Sequence, residues 1–183
     1  MAEVLITMVL GFMMLSLLYE ITATALKRLG YFDRRLDVDM VVSQVMKNLK
    51  LDLIGSSPDG TANVSGNGWN GIAISIQGPV SESGDRNWLD LPVYYGVNED
   101  SSRLVRCWKK AGPSLLEEPS SSNGDFVAAI QGNGWSQSSY PGIRKLKIEN
   151  EEGSLKVSLD YSMPQSNGSS RVQTSTMLLS YRL

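Results

Sequence analysis

The chain opens on an apolar run that excludes an ordinary soluble start. Residues 4–19 (VLITMVLGFMMLSLLY) carry no group that ionises near neutral pH; the run then meets Glu20, continues through ITATAL and stops at Lys27 and Arg28. From Val4 to Leu26 there are about 23 residues, which at helical rise reach roughly 34 Å, enough to cross a bilayer. Helical spacing continues past this run. Val42, Met46, Leu49 and Leu53 recur at i, i+4, i+7 and i+11, while Lys47, Lys50 and Asp52 occupy other faces. Phe32 and Leu36 extend the stripe upstream. No proline interrupts residues 1–57, and Gly55-Ser56-Ser57-Pro58 supplies a stop. The pattern predicts one helix of about 50 residues with Gly30 as a weak point. Its first part, 1–26, is apolar all round and its second, 27–55, is amphipathic, with Val42, Met46, Leu49 and Leu53 as the stripe that enters a core.

From Thr61 the period changes to two. Ile72, Ile74 and Ile76 alternate with Ala73, Ser75 and Gln77, and Leu155, Val157, Leu159 and Tyr161 alternate with Lys156, Ser158 and Asp160. Met177, Leu179, Tyr181 and Leu183 share a face near the end. Further strands are expected at Val93–Val97, Arg103–Lys109, Phe126–Ile130 and Arg144–Glu149, with Glu149-Asn150-Glu151-Glu152-Gly153 as a hairpin turn. Strands in succession without helices between them exclude a doubly wound sheet. The predicted fold is α+β, one long N-terminal helix packed on antiparallel β-sheet, with 56–183 as a β-rich globular domain. Polar linkers fall at Gly55–Gly71, Val80–Asn87 and Gly112–Asp125. A near-repeat, Gly66-Asn67-Gly68-Trp69-Asn70 against Gly132-Asn133-Gly134-Trp135-Ser136, reads as two turn sequences before it reads as a ligand platform.

Composition then removes most chemistry. Of 183 residues 42% are apolar and 20% charged, so a core forms and wholesale disorder is excluded. Seventeen basic against nineteen acidic side chains give a net charge of −2, with no bulk attraction to nucleic acid. There is no histidine, which removes His-based triads and His metal sites. The lone Cys107 excludes an internal disulfide and a Cys-rich cluster, and its strand context makes it a small buried hydrophobe. Asp33 and Asp37 share a helix face, but Arg34 and Arg35 interleave with them, which is a solvated charged face and not a cation site. Asp59-Gly60 and Asn98-Glu99-Asp100 are turn chemistry. Arg103 and Arg106, three apart on a strand, point to opposite faces and do not grip one anion. No phosphate loop, dinucleotide fingerprint or nucleophile elbow is present, so no metal and no cofactor are expected and the chain reads as non-enzymatic.

Three readings of the apolar run compete. A secretory signal peptide needs a basic start, and only Met1, Ala2 and Glu3 precede the run, although Ala23-Thr24-Ala25 fits a cleavage pattern. A plain anchor would, with Lys27, Arg28, Arg34 and Arg35 on its C-terminal flank, place the β-domain in the cytoplasm. The third reading turns on Glu3, a carboxylate at the edge of a membrane helix, costly there and otherwise only a partner for the helix dipole.

Ala2-Glu3-Val4-Leu5-Ile6-Thr7 resembles the start of the type IV pilin and pseudopilin family, in which a small or apolar residue and a glutamate open a long apolar helix. Glu3 matches the family's glutamate. In that frame the chain is trimmed or re-started at Met1, and a basic leader ending in Gly, cut by a prepilin peptidase and followed by methylation, is expected upstream. The later order of elements is similar to the larger minor subunits, the J-type pseudopilin of type II secretion and the PilW-type minor pilins. Val93-Tyr94-Tyr95-Gly96-Val97 is followed by Leu104-Val105-Arg106, and then by a closing β-meander. Asn48-Leu49-Lys50-Leu51-Asp52-Leu53 resembles their helix end, with an acid among leucines.

The resemblance implies a pilin-like fold and a structural subunit that primes or caps a type IV pilus or a type II secretion pseudopilus. It implies a single pass through a bacterial inner membrane with the C-terminal domain outside the cytoplasm, and a periplasmic or surface filament after assembly. The implied partners are other minor and major pilin or pseudopilin subunits, docked through the helix. Glu3 is then an assembly residue, facing the free N-terminal amine of a neighbouring subunit. The alternative is a membrane-anchored or secreted β-domain that binds a ligand, the helix being a simple anchor. The amphipathic continuation of the helix separates the two, because a mere anchor has no need of it.

Overall fold

The computed structural model describes residues 2–80, 84, 86–109, 114–119, 122–132, 134–151, 154–165 and 168–180. Helix α1, Ala2–Ile54, runs for 53 residues and passes through Gly30 without a break. It ends where expected. The Gly55 N–H donates to the Leu51 carbonyl and the Ser56 N–H to that of Leu53, and Pro58–Gly60 then makes one 3-10 turn.

Eleven strands follow among the described residues. Strands β1 (Thr61–Gly66), β2 (Trp69–Ile74), β5 (Val93–Asn98), β6 (Arg103–Trp108) and β8 (Ser136–Pro141) form an antiparallel sheet in the order β1-β2-β5-β6-β8. Strands β9 (Ile143–Glu151), β10 (Ser154–Pro164) and β11 (Ser170–Ser180) form a three-stranded meander in the order β11-β10-β9. Strands β3 (Gln77–Val80), β4 (Arg86–Leu89) and β7 (Leu115–Leu116) make a small third sheet. The fold is α+β, one long N-terminal helix packed on antiparallel sheets.

The main core lies under α1. Val42, Val45, Leu49 and Leu53 pack with Ile72, Ile74, Tyr95, Val97 and Leu104 of the five-stranded sheet, and with Leu155, Val157 and Leu159 of β10. Alternation along β10 is complete: Leu155, Val157, Leu159, Tyr161 and Met163 are buried and the residues between them are not. On β2, by contrast, Ile72, Ala73 and Ile74 are all buried, because the sheet is covered on its second face too. There helix α2, Asn123–Ile130, lays Phe126 and Ala129 against Val64, Ala73, Tyr94, Val105 and Cys107. Gly96 makes room for it. A Cβ at that position would lie 2.7 Å from Ile130 Cδ1 and 3.1 Å from the Phe126 ring.

Several expectations need correction. Phe126–Ile130 is helix, not strand: Ser122 Oγ accepts from the N–H groups of Gly124 and Asp125, and that cap starts a turn with Phe126 and Ala129 on one face. Met46 is only half-buried at the edge of the stripe, and Val45 takes the central place. Phe32 and Leu36 do not extend the stripe but are exposed, since six residues from Leu36 to Val42 turn the helix by about 240°. Glu149, Asn150 and Glu151 are strand, with Glu151 opposite Ser154. The turn residues Glu152 and Gly153 lie outside the described residues, as do Tyr181, Leu183, Met1, Asn133 and parts of the linkers after Val80 and Gly112.

Candidate functional site

The first half of α1 stands clear of the globular domain. No residue of its most apolar 18-residue window is buried, and α1 is the one candidate membrane span among the described residues. Three of its hydroxyls are satisfied inside the helix: Thr7 Oγ1 donates to the Glu3 carbonyl at 2.5 Å, Ser16 to Met13 at 3.0 Å and Thr22 to Leu18 at 2.7 Å. Such back-bonding is what hydrocarbon requires of a polar side chain. Glu3 sits exposed in the first turn, where a carboxylate also complements the helix dipole. Contact with the domain begins at Val38, which is partly buried against the core.

At the other end α1 is tied to the sheet by charge. Asp52 Oδ1 accepts from Arg106 Nη2 at 2.8 Å, and Oδ2 accepts from Arg106 Nε at 2.8 Å and from the Tyr95 hydroxyl at 2.5 Å. The side chains of Arg106 and Asp52 are 20% and 11% exposed, so the pair is largely desolvated. Trp108 lies over the guanidinium, 4.6 Å from ring centroid to Cζ. Burial raises the Tyr95 hydroxyl well above the usual tyrosine range and the Asp52 charge adds to it, so the phenol stays a donor. Burial is the largest single influence and works against the charge on Arg106, but the hydrogen bonds and charges of Asp52 and Tyr95 together outweigh it and hold the guanidinium more firmly protonated than usual. Tyr95 and Arg106 are register partners on β5 and β6. The Tyr-containing strand, the Leu-Val-Arg segment and the acid at the helix end therefore meet at one point. Sequence reading singled out each but not their meeting.

The second face of the sheet is apolar. Cys107 is fully buried there and its thiol is pushed up to about 12 by burial, Arg106 opposing. Trp69 and Trp135 pack on this same cluster, Trp135 edge-on to Tyr94 with centroids 5.3 Å apart and with Lys109 Nζ 5.2 Å from its own centroid. The first turn of the near-repeat is the two-residue β1–β2 hairpin, with Asn67 at φ 52° and Gly68 at φ 76°, the left-handed values that select Asn-Gly.

The remaining candidates lie apart. Asp33 and Asp37 are exposed on α1, and no group of three or more Asp, Glu or Cys among the described residues is placed to hold a metal ion. Arg103 Nε donates to Ser139 Oγ at 2.5 Å, away from Arg106. Asn98 Oδ1 accepts from the Ser101 N–H at 2.9 Å and closes the β5–β6 turn. A cleft of about 220 Å³ beside Thr61, Asn63, Ile72, Ile148 and Leu155 contains no titratable side chain. The features that stand out are thus a bare apolar half-helix and the ion-paired splice that joins it to the domain. No family model, curated protein or solved structure matches the chain.

Proposed function

We propose that this chain is a non-enzymatic assembly subunit, a minor pilin or pseudopilin that primes or caps a type IV pilus or a type II secretion pseudopilus. The observation that carries this reading is the divided use of one helix. Residues 4–26 offer apolar surface to whatever surrounds them, while Val42, Val45, Leu49 and Leu53 are built into the domain core and fixed there by Asp52. A flexible tether would serve a simple anchor equally well. A helix continuous from span to core transmits position from one to the other, which a subunit needs to stack in register.

Before assembly the apolar half rests in a membrane; in the filament it bundles with the same segment of sibling subunits. Glu3 then needs a cationic partner where water is excluded, and the N-terminal amine of a neighbour supplies it. This rewards one axial register over others. The experiment compares wild type with Glu3→Gln, co-expressed with sibling pilin-like subunits. Membrane insertion should be equal or better for the variant, while cross-linking to siblings falls sharply. Equal cross-linking for both proteins overturns the assembly role of Glu3 and favours the simple anchor.

A further inference from the structure

Strand β11 closes the three-stranded meander and pairs only with β10 among the described residues. In an antiparallel pair, residues alternate between bonding to the partner strand and turning both backbone groups away from it. The hairpin fixes the phase here, because the Gln165 N–H donates to the Ser169 carbonyl at 2.8 Å. Arg171, Gln173, Ser175, Met177 and Leu179 therefore bond to β10, while Val172, Thr174, Thr176, Leu178 and Ser180 turn N–H and C=O outward. Ser162 agrees with this phase: it stands opposite Val172, and its N–H donates away from β11, to the Gly142 carbonyl at 2.8 Å. The side chains of the five outward residues are all exposed. Other edges are guarded. On the free side of β1 the Ser65 N–H donates to Asn123 Oδ1 at 3.1 Å, β8 ends on Pro141, and β9 carries Arg144, Lys145, Lys147, Glu149 and Glu151. Strand β11 has no proline, no glycine, no break of register with β10, and Arg171 as its one charge.

We propose that β11 is a strand-acceptor edge, which takes an extended, uncharged segment of a different protein as an added strand of the β9-β10-β11 sheet. A row of outward donors and acceptors is satisfied in full only by another extended backbone, so the occupant is a β-strand. The exposed side chains set its composition. Val172 and Leu178, 47% and 60% exposed, flank Thr174 and Thr176, and all four gain cross-strand partners from apolar or β-branched residues at alternate positions. None of the outward residues is charged, so a charged strand would lose water there without gaining a counter-charge. A second copy is the poorer occupant. The two-fold axis that pairs β11 with itself stands normal to the sheet and reverses α1, sending the two apolar halves in opposite directions. The inference uses the domain alone and goes beyond the assembly reading of the helix.

The test uses the full chain in detergent micelles and, as probe, a fluorescent peptide with the sequence of Ser170–Ser180. Docked antiparallel about Ser175, its Val172 and Leu178 positions meet Leu178 and Val172 of the chain. Anisotropy should show saturable binding. In the absence of peptide, amide hydrogen exchange should be about ten-fold or more faster at Thr174, Thr176 and Leu178 than at Gln173, Ser175 and Met177, and saturating peptide should remove most of that difference. Thr174→Pro deletes an outward donor and spares every bond to β10. The double variant Val172→Lys, Leu178→Lys keeps the backbone and puts charge on the edge. Each should bind the peptide about ten-fold or more weakly, and unchanged circular dichroism of the double variant would establish that it folds. Equal binding by wild type and the double variant overturns the proposal. So does the absence of saturable binding at up to about 0.1 mM peptide, or slow exchange at Thr174, Thr176 and Leu178 before peptide is added. Chains that pair with one another by light scattering, and cease to in Thr174→Pro, give the edge to a second copy and overturn the proposed occupant.

Discussion

Arg106 reaches Asp52 with two parallel hydrogen bonds of 2.8 Å, across 54 residues of sequence and from sheet to helix end. Two residues bound in this fork cannot slide past one another by a helical turn without leaving both charges desolvated. The pair therefore sets which turn of α1 sits on which strand.

Removing one partner should cost more than removing both. Asp52→Asn or Arg106→Gln is expected to destabilise the domain by about 2–4 kcal/mol, since the surviving charge stays in a mostly buried place. Asp52→Leu combined with Arg106→Met should recover much of that loss. Denaturant melts of the three variants decide it, and a double variant as unstable as the sum of the singles would reject the pairing argument.

The stripe of α1 should show a graded response. Leu49→Ala is expected to cost about 2–5 kcal/mol, because Leu49 is fully buried between two sheets. Leu36→Ala, on the exposed side, should change domain stability by less than about 0.5 kcal/mol. Melting midpoints that move equally for both would mean that α1 is rotated from the position described.

Gly96 is a packing test for the second face. Gly96→Ala should cost about 1–3 kcal/mol by overpacking against Phe126 and Ile130. Phe126→Leu in the Gly96→Ala background should return part of it, so a double-mutant cycle yields a coupling energy of favourable sign. Strict additivity would place α2 elsewhere.

Alkaline stability follows from two raised groups. Cys107 titrates near 9 when unfolded and is pushed up to about 12 when folded, and Tyr95 is raised further. In that window the unfolded chain has released protons that the native one keeps, so stability falls as pH rises. The contribution is full below the unfolded value and is lost as pH climbs through the folded one. Cys107→Ser should flatten the fall in melting temperature between about pH 9 and 12. An unchanged slope would show that Cys107 is not kept protonated by its surroundings.

A chain starting at Lys27 should be soluble and fold cooperatively, because contact with the domain begins at Val38, more than ten residues later. Aggregation, or a lost near-ultraviolet circular dichroism signal, would mean that the apolar half supports the domain.

Much of this architecture was legible because its patterns are long. A proline-free helical pattern over more than 50 residues, and an eleven-residue alternation in β10, leave little choice of element. The failures are local. Phe-Val-Ala-Ala-Ile is too short for periodicity to separate helix from buried strand, and only the Ser122 cap decides it. Val45 and Met46 both fit helical spacing from Val42, and which one is central depends on where the sheets lie. Ala73 broke the in–out rule because α2 covers the face that alternation assigned to water. The Asp52–Arg106 pair was invisible for a simpler reason. Nothing in a linear sequence states the register that sets Arg106 beside Tyr95, or that this pair of strands lies under the end of α1.

The divided helix also dictates an order of events during folding. Val42–Leu53 are synthesised first among the core residues, yet their partners on β10 arrive about 110 residues later, at roughly 5–20 residues per second. For several seconds an amphipathic segment emerges next to a hydrophobic one with no sheet to cover it. Contacts of such long sequence separation close slowly, since loop entropy must be overcome before they form. The domain therefore completes its core only when its last strands arrive, and until then the nascent chain is a client for any chaperone that shields helical apolar faces.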